Sequence, residues 1–206
     1  MVDIIRVGIL VEGTTEEIFV KKLLYDYLQP KGIYVTPIKL NGCVNIDKIA
    51  KYLNRMANKF DKVTTLVDFY GFRGKTQYET KASLEQRILK SVSEKIRHKV
   101  IPYVQMYEFE ALLFSNPDIL ADGLGHPEFK GPAKKILESA DNNPEKINNS
   151  KETAPSKRLE KVGYRKTTHG PDIAGTIGID NMRAKCPGFN RWITELEALS
   201  QPNHKP

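Results

Sequence analysis

Three apolar segments of this chain run into carboxylates. Glu12 closes the run Ile4-Ile5-Arg6-Val7-Gly8-Ile9-Leu10-Val11 and is followed by Gly13. Asp68 closes the run from Lys62 to Val67, and Glu108 and Glu110 follow the run from Lys99 to Gln105. In open parallel sheets, ligands gather at the carboxyl ends of the strands, so acids placed there point into one crevice. Such a cluster of oxygens suits Mg²⁺ or Mn²⁺, hard cations that take carboxylate and water. Glu16 adds an acid in the first turn of a helix, where the helix dipole alone also favours one. Thr14 with Glu17 reads as a capping box, which leaves Glu17 a cap. The segment Tyr107-Glu108-Phe109-Glu110-Ala111-Leu112-Leu113-Phe114 surrounds two carboxylates with apolar groups. A carboxylate in such company needs a partner or a metal. The two glutamates face different ways on a helix, so one of them is expected in the site.

Cations suited to phosphate lie in three places. The loop Gly71-Phe72-Arg73-Gly74-Lys75 sets Arg73 and Lys75 beside Asp68, with backbone amides at hand. It lacks the Walker A spacing, and it serves equally as a plain connection. Ser156-Lys157-Arg158 and Tyr164-Arg165-Lys166-Thr167-Thr168-His169-Gly170 mix cations, hydroxyls and an aromatic, the groups that position phosphate backbones. Lys157, Arg158, Arg165 and Lys166 are the candidates there.

The elements that must carry these groups alternate. Ile4 to Val11 is a strand covered on both faces. Ile18, Phe19, Leu23, Tyr27 and Leu28 mark a helix ended by Pro30 and Gly32. Ile33 to Leu40 is a second strand, in which Pro37 points to an edge or an irregular position. Ile46 to Ala57 is helical, Lys62 to Val67 is a strand, Thr80 to Arg97 is helical, and Lys99 to Gln105 is a fourth strand. This β-α-β-α-β-α-β order implies an α/β fold with a mostly parallel four-stranded sheet flanked by helices. Beyond Asn116 the composition turns to Pro, Gly and Asn. Short helices are expected near 133–140, 145–149, 156–162 and 171–177, with a longer one at 188–199. The expected division is an α/β domain over 1–116, a helical appendage over 117–200 packed on it, and a frayed tail over 201–206.

Composition narrows the setting. No apolar run approaches the roughly 20 residues of a membrane helix, and the first residues lack the basic start and cleavage site of a signal peptide. Cys43 and Cys186 share no disulfide or zinc spacing. A reducing cytoplasm is the expectation, with no membrane partner. The net charge of +7 fits a nucleic-acid partner without requiring one.

The segment Leu10-Val11-Glu12-Gly13-Thr14-Thr15-Glu16 resembles the first motif of Toprim domains, which occur in topoisomerases, primases and overcoming-lysogenization-defect (OLD) nucleases. Val11-Glu12-Gly13, Val67-Asp68-Phe69-Tyr70-Gly71, the Tyr107–Phe114 segment, Ala154-Pro155-Ser156-Lys157-Arg158 and Cys186-Pro187-Gly188-Phe189 with Trp192 are most similar to one Toprim-like family of unknown function, numbered 4276. The resemblance implies Glu12 as general acid/base or metal ligand, Glu16 as the second acid of the OLD-like branch, and Asp68 as the first residue of an Asp-x-Asp motif for Mg²⁺. Tyr70 stands where the second Asp belongs. Either Glu108 or Glu110 replaces it, or the site binds one metal weakly, or catalysis is lost.

The function this implies is a metal-dependent phosphodiester hydrolase acting on DNA or RNA. Glu12, Glu16, Asp68 and Glu108 or Glu110 hold Mg²⁺ or Mn²⁺ in that reading. Glu12 and Lys166 are catalytic, and Arg73, Lys75, Lys157, Arg158, Arg165 and Lys166 bind the backbone. An ATPase partner in phage defence is implied by the same resemblance. The rival expectation is a non-catalytic Toprim-like module that binds nucleic acid or an ATPase.

Overall fold

The computed structural model describes residues 4–148 and 151–201. Most of the tail and the end of the helix expected at 145–149 lie outside the described residues. The chain forms two compact units. One runs to Val104 and resumes at Trp192, and the other is Gln105–Arg191. The sequence places the boundary at 116; the chain changes units twelve residues earlier and returns at Trp192.

In the first unit, β1 (Ile5–Val11) lies between β2 (Ile33–Lys39) and β3 (Lys62–Asp68), and β4 (Val100–Ile101) follows β3. All three pairings along this path are parallel. A short strand, β5 (Val104–Gln105), pairs with β3 off the path. Buried β-branched and aliphatic runs dictate the central positions of β1 and β3, since a strand covered on both faces has no place for polar alternation. Pro37 lacks an amide donor, and it sits in the strand that pairs on one side only, as expected. Leu10, Val63 and Val67 join Ile49, Leu53, Leu84 and Ile88 in one core cluster. The last four come from α3 (Ile46–Met56) and α4 (Lys81–Ser91), described below with the helices before them.

The helix after β1 departs from its expected periodicity. It runs as α1 (Thr14–Phe19), a π turn at Val20–Leu24 and α2 (Tyr25–Leu28). The wide turn rotates the inward face, so Val20 and Leu24 are buried while Leu23 is only half-buried. Asn45 caps α3 through its side chain, which accepts from the Lys48 amide at 2.9 Å. Thr80 and Ser83 form a capping box on α4. That helix ends at Ser91, and Glu94–Lys99 is a 3-10 turn. The single helix expected to Arg97 is therefore shorter.

The fourth strand is broken as well. Pro102 cannot donate to a ladder, and β4 stops before it. Side chains then satisfy the backbone that the ladder leaves open. The Thr65 hydroxyl donates to the Tyr103 carbonyl at 2.7 Å and accepts from its amide at 2.9 Å. Glu85 accepts from the Val104 amide at 3.1 Å, and Lys81 donates to the Val104 carbonyl. The Tyr103 ring stacks on Trp192 at 4.5 Å between centroids. The Trp192 indole donates to Thr64 Oγ1 at 2.9 Å. These contacts return the end of the chain to the sheet.

The second unit is helical. A 3-10 segment at Phe109–Ser115 leads to α5 (Pro117–Leu124), α6 (Lys130–Glu138), α7 (Pro155–Glu160), α8 (Lys166–Ile177) and α9 (Ile179–Lys185). The last helix, α10 (Pro187–Glu197), begins there. The sequence reading missed α5 and α9. The first was legible: Asn116 caps it, Pro117 opens it, and Gly125 closes it with φ 73°. The second is a short helix entered through Gly178 at φ 79°, with no side-chain cap to mark it.

Trp192→Ala is expected to destabilise the protein by about 3–5 kcal/mol through lost burial and a cavity, read as a lower urea midpoint with an unchanged slope. A loss under about 1 kcal/mol would show that the Tyr103 stack is incidental.

Candidate functional site

The strand-end site is built by register. Val11 lies opposite Leu66 in the β1–β3 ladder, so Glu12 falls beside the end of β3. Its Oε2 accepts a hydrogen bond from the Asp68 amide at 3.2 Å. Glu12 is half-buried, and Asp68 is buried. Gly71 presses on the same carboxylate. A Cβ there would lie 2.5 Å from Glu12 Oε1 and 2.6 Å from Oε2, closer than any real contact. A glycine three residues past a strand-end acid was a signal that the sequence reading passed over.

Glu16 performs the capping that the sequence assigned to Glu17. Gly13 is the N-cap of α1, and its amide donates to Glu16 Oε2 at 2.9 Å. The Thr14–Glu17 box does not form. Glu17 instead meets Lys21 at 2.6 Å and Lys39 at 2.9 Å. These ammonium groups hold its carboxyl below the usual range.

Lys75 is turned inward. Its ammonium donates to the carbonyl of Phe72 at 2.9 Å, to that of Tyr70 at 3.4 Å and to that of Phe69. It also lies 4.8 Å from the centre of the Phe69 ring. Burial pushes its pKa down, and the nearby Glu12 and Glu79 carboxylates oppose that shift. Arg73 in the same loop is exposed.

In the second unit, Glu108 and Glu110 take separate partners. Tyr107 precedes them at φ 61°, a left-handed conformation that an aromatic residue adopts only at a cost. Glu108 Oε2 accepts from the Ser156 amide at 2.8 Å, capping the first turn of α7. Glu110, 1% exposed, accepts from the Tyr164 hydroxyl at 3.3 Å and pairs with Lys166 at 3.2 Å. Burial raises the Glu110 pKa; Lys166 opposes the shift and Glu108 adds to it. The partner that its apolar surroundings demanded is thus Lys166 with Tyr164. Arg158 Nε donates to the Thr153 carbonyl at 2.7 Å, and Lys157 pairs with Glu160 at 2.6 Å. Arg165 is exposed at the start of α8. One residue escaped the reading: Glu145 accepts from the Gly188 amide at 2.6 Å and the Phe189 amide at 3.1 Å, capping α10.

Among the described residues, no group of three His, Cys, Asp or Glu side chains is placed to hold a metal ion. The donors at the strand ends still fit Mg²⁺ in kind. That ion keeps several waters and binds through one or two carboxylates, which Glu12 and Asp68 supply.

A family model described as Domain of unknown function (DUF4276) matches residues 11–197. The chain belongs to this family. The DUF4276 match opens at Val11, immediately before Glu12, and spans every candidate site residue. Among solved structures, the chain is similar to the C-terminal region of the Burkholderia pseudomallei OLD protein, with a TM-score of 0.53 and 16% identity over 96% of this chain and 99% of that one. It is also similar to the C-terminal region of the Xanthomonas campestris pv. campestris OLD protein, with a TM-score of 0.48 and 14% identity over 97% of this chain and 98% of that one. Among curated proteins nothing matches. The first structural likeness establishes a shared fold, a mostly parallel sheet flanked by helices as expected from the sequence. In this DUF4276 member no helix among the described residues is long and apolar enough to cross a membrane.

Two outcomes test this geometry. Gly71→Ala should displace the Glu12 carboxylate and speed hydrogen exchange at the Asp68 amide, with little change in global stability. Unchanged exchange would mean that Glu12 has no hold on Asp68. For Glu110, the folded pKa is raised above its ordinary 4.5. The protonated form therefore favours folding, and its contribution is lost as pH rises from about 4.5 through the folded value. Glu110→Gln should remove that slope from stability measured across pH 4–8; identical slopes would refute the assignment.

Proposed function

We propose that this protein is a metal-dependent phosphodiester hydrolase acting on nucleic acid, DNA or RNA. The observation that carries the reading is the lock between Glu12 and the Asp68 amide, at 3.2 Å, across the carboxyl ends of β1 and β3. It holds the Glu12 carboxylate against the backbone of Asp68, at the place where open parallel sheets bind ligands. A bound Mg²⁺ or Mn²⁺ supplies polarised phosphate oxygens and an acidified water. Glu12 and Asp68 are its ligands, Glu16 supports Glu12 through Gly13, and Glu12 serves as the proton acceptor. Glu108 and Glu110 were expected to add carboxylates; their partners are instead the Ser156 amide for Glu108, and Tyr164 with Lys166 for Glu110. Lys166 is the proposed catalytic cation, and Arg73, Lys157, Arg158 and Arg165 are the proposed phosphate contacts. Lys75 was expected among these contacts; its inward course favours a role within the loop instead. An ATPase partner, a place in phage defence and a cytoplasmic setting belong to the same reading.

A second reading has its own support. Tyr70 stands in place of a carboxylate, and no three-acid group is assembled among the described residues. Both favour a non-catalytic Toprim-like module that binds nucleic acid or an ATPase.

The deciding experiment runs supercoiled plasmid, single-stranded DNA and total RNA with Mg²⁺ or Mn²⁺ against wild type and Glu12→Gln. Cleavage by wild type, with a loss of at least about a hundredfold in the variant, is the expected result. Equal cleavage by both would sink the assignment, and cleavage by neither would favour the binding module.

A further inference from the structure

Resting on the nucleic-acid reading above, we infer that Tyr78 is a stacking platform for an unpaired nucleobase, so that the substrate is single-stranded where it meets the loop after β3. Tyr78 is 83% exposed, the most open of the large apolar side chains among the described residues. The loop that presents it is anchored on both sides. Before it, Phe72 is buried and the Arg73 amide donates to the Val44 carbonyl at 2.8 Å. The Lys75 ammonium bonds the carbonyls of Phe69, Tyr70 and Phe72. The Glu79 amide donates to the Thr76 carbonyl at 3.2 Å, which sets Gln77 and Tyr78 at the two central positions of a tight turn. After it, the Glu79 carboxylate accepts from the Ser83 hydroxyl at 2.6 Å and pairs with Arg87. A ring presented on a turn fixed in this way loses little freedom when a base stacks on it.

The chemistry around the ring selects the occupant. The stretch from Gly71 to Tyr78 contains no acid, and Arg73, Thr76 and Gln77 are exposed along it. Glu79, the next residue, turns its carboxylate inward, with 6% of the side chain exposed. A protein partner calls for a contiguous apolar patch, whereas the residues around Tyr78 in the turn are polar: Thr76, Gln77 and Thr80. A lone aromatic ring beside a guanidinium, hydroxyls and an amide is the set that holds single strands. Bases stack on the ring while the polar groups take the backbone. A duplex keeps its base faces against one another and offers the ring none. The loop leaves the carboxyl end of β3, and Gly71 within it lies against the Glu12 carboxylate. A base stacked on Tyr78 thus sits on the same loop that packs against Glu12.

The test is fluorescence anisotropy of the full chain with fluorescein-labelled oligothymidylate and with a duplex of the same length. Divalent ions are chelated, so that binding is read apart from cleavage. Wild type should bind the single strand more tightly than the duplex. Tyr78→Ala should weaken single-strand binding by about five- to a hundredfold. It should leave duplex binding, the melting temperature and the salt dependence unaltered, because the ring is exposed and contacts no phosphate. Tyr78→Phe keeps the ring face and should bind as wild type does. Equal single-strand affinity in wild type and Tyr78→Ala would overturn the inference while leaving the nucleic-acid reading standing. So would an equal loss for strand and duplex. Absence of binding to either ligand by wild type would remove the nucleic-acid reading itself, and the inference with it.

Discussion

A buried or half-buried backbone amide must meet an acceptor, and in this protein glutamates meet that demand at several points where one element gives way to the next. Glu12 accepts from Asp68, Glu16 from Gly13, Glu108 from Ser156, and Glu145 from Gly188 and Phe189. Glu12, Glu108 and Glu145 each reach a distant segment, while Glu16 caps its own helix. At Gly13, Ser156 and Gly188 the carboxylate bonded to the backbone also faces the positive end of a helix dipole. The cost of an amide left dry and unpaired is of the order of 1–3 kcal/mol, so these contacts constrain where the elements end as strongly as the aliphatic core constrains where they lie.

Lysines supply the complementary service for carbonyls. Lys75 closes the turn after β3, and Lys81 meets the Val104 carbonyl where Pro102 has interrupted the fourth strand. Lys81 also stands 3.8 Å above the Tyr103 ring, whose other neighbour is Trp192. A broken edge strand is ordinarily a weak point, since open ladder groups invite other chains. Here the open groups are consumed by Thr65, Glu85 and Lys81, and the sheet edge is finished by side chains instead of another strand.

This division of labour explains what the sequence made legible. The strands came through because β-branched apolar runs have few other uses, and Glu12 and Asp68 came through because each ends such a run. The helix after β1 was legible in extent but not in phase, because one π turn shifts the buried face from Leu23 to Val20 and Leu24. Capping was misassigned by one residue: Gly13 has no side chain, so the pattern of hydroxyl and acid pointed to Thr14 and Glu17. Glu145 left no local signal, since its amides lie 43 and 44 positions away. The partner of Glu110 was foreseeable as a requirement of burial but not as a residue, because nothing nearby in sequence identifies Lys166.

Most of the cations that the sequence nominated for phosphate are already engaged within the protein. Of the six cations the sequence nominated, Lys75 is turned into its own loop, Arg158 reaches a carbonyl at 2.7 Å, Lys157 faces Glu160 and Lys166 faces Glu110. The pairs differ in what they commit. Lys157 and Glu160 are both about half exposed at the surface, so their attraction is worth under about 1 kcal/mol and yields readily to a phosphate. Glu110 is sealed from solvent while Lys166 is half exposed; pulling the ammonium away would leave a buried carboxylate with the Tyr164 hydroxyl for support. A phosphate that recruits Lys166 must therefore bind beside Glu110's pair and share the ammonium, whose three donors allow one to stay with the carboxylate. Glu110 thus governs where the Lys166 ammonium can reach.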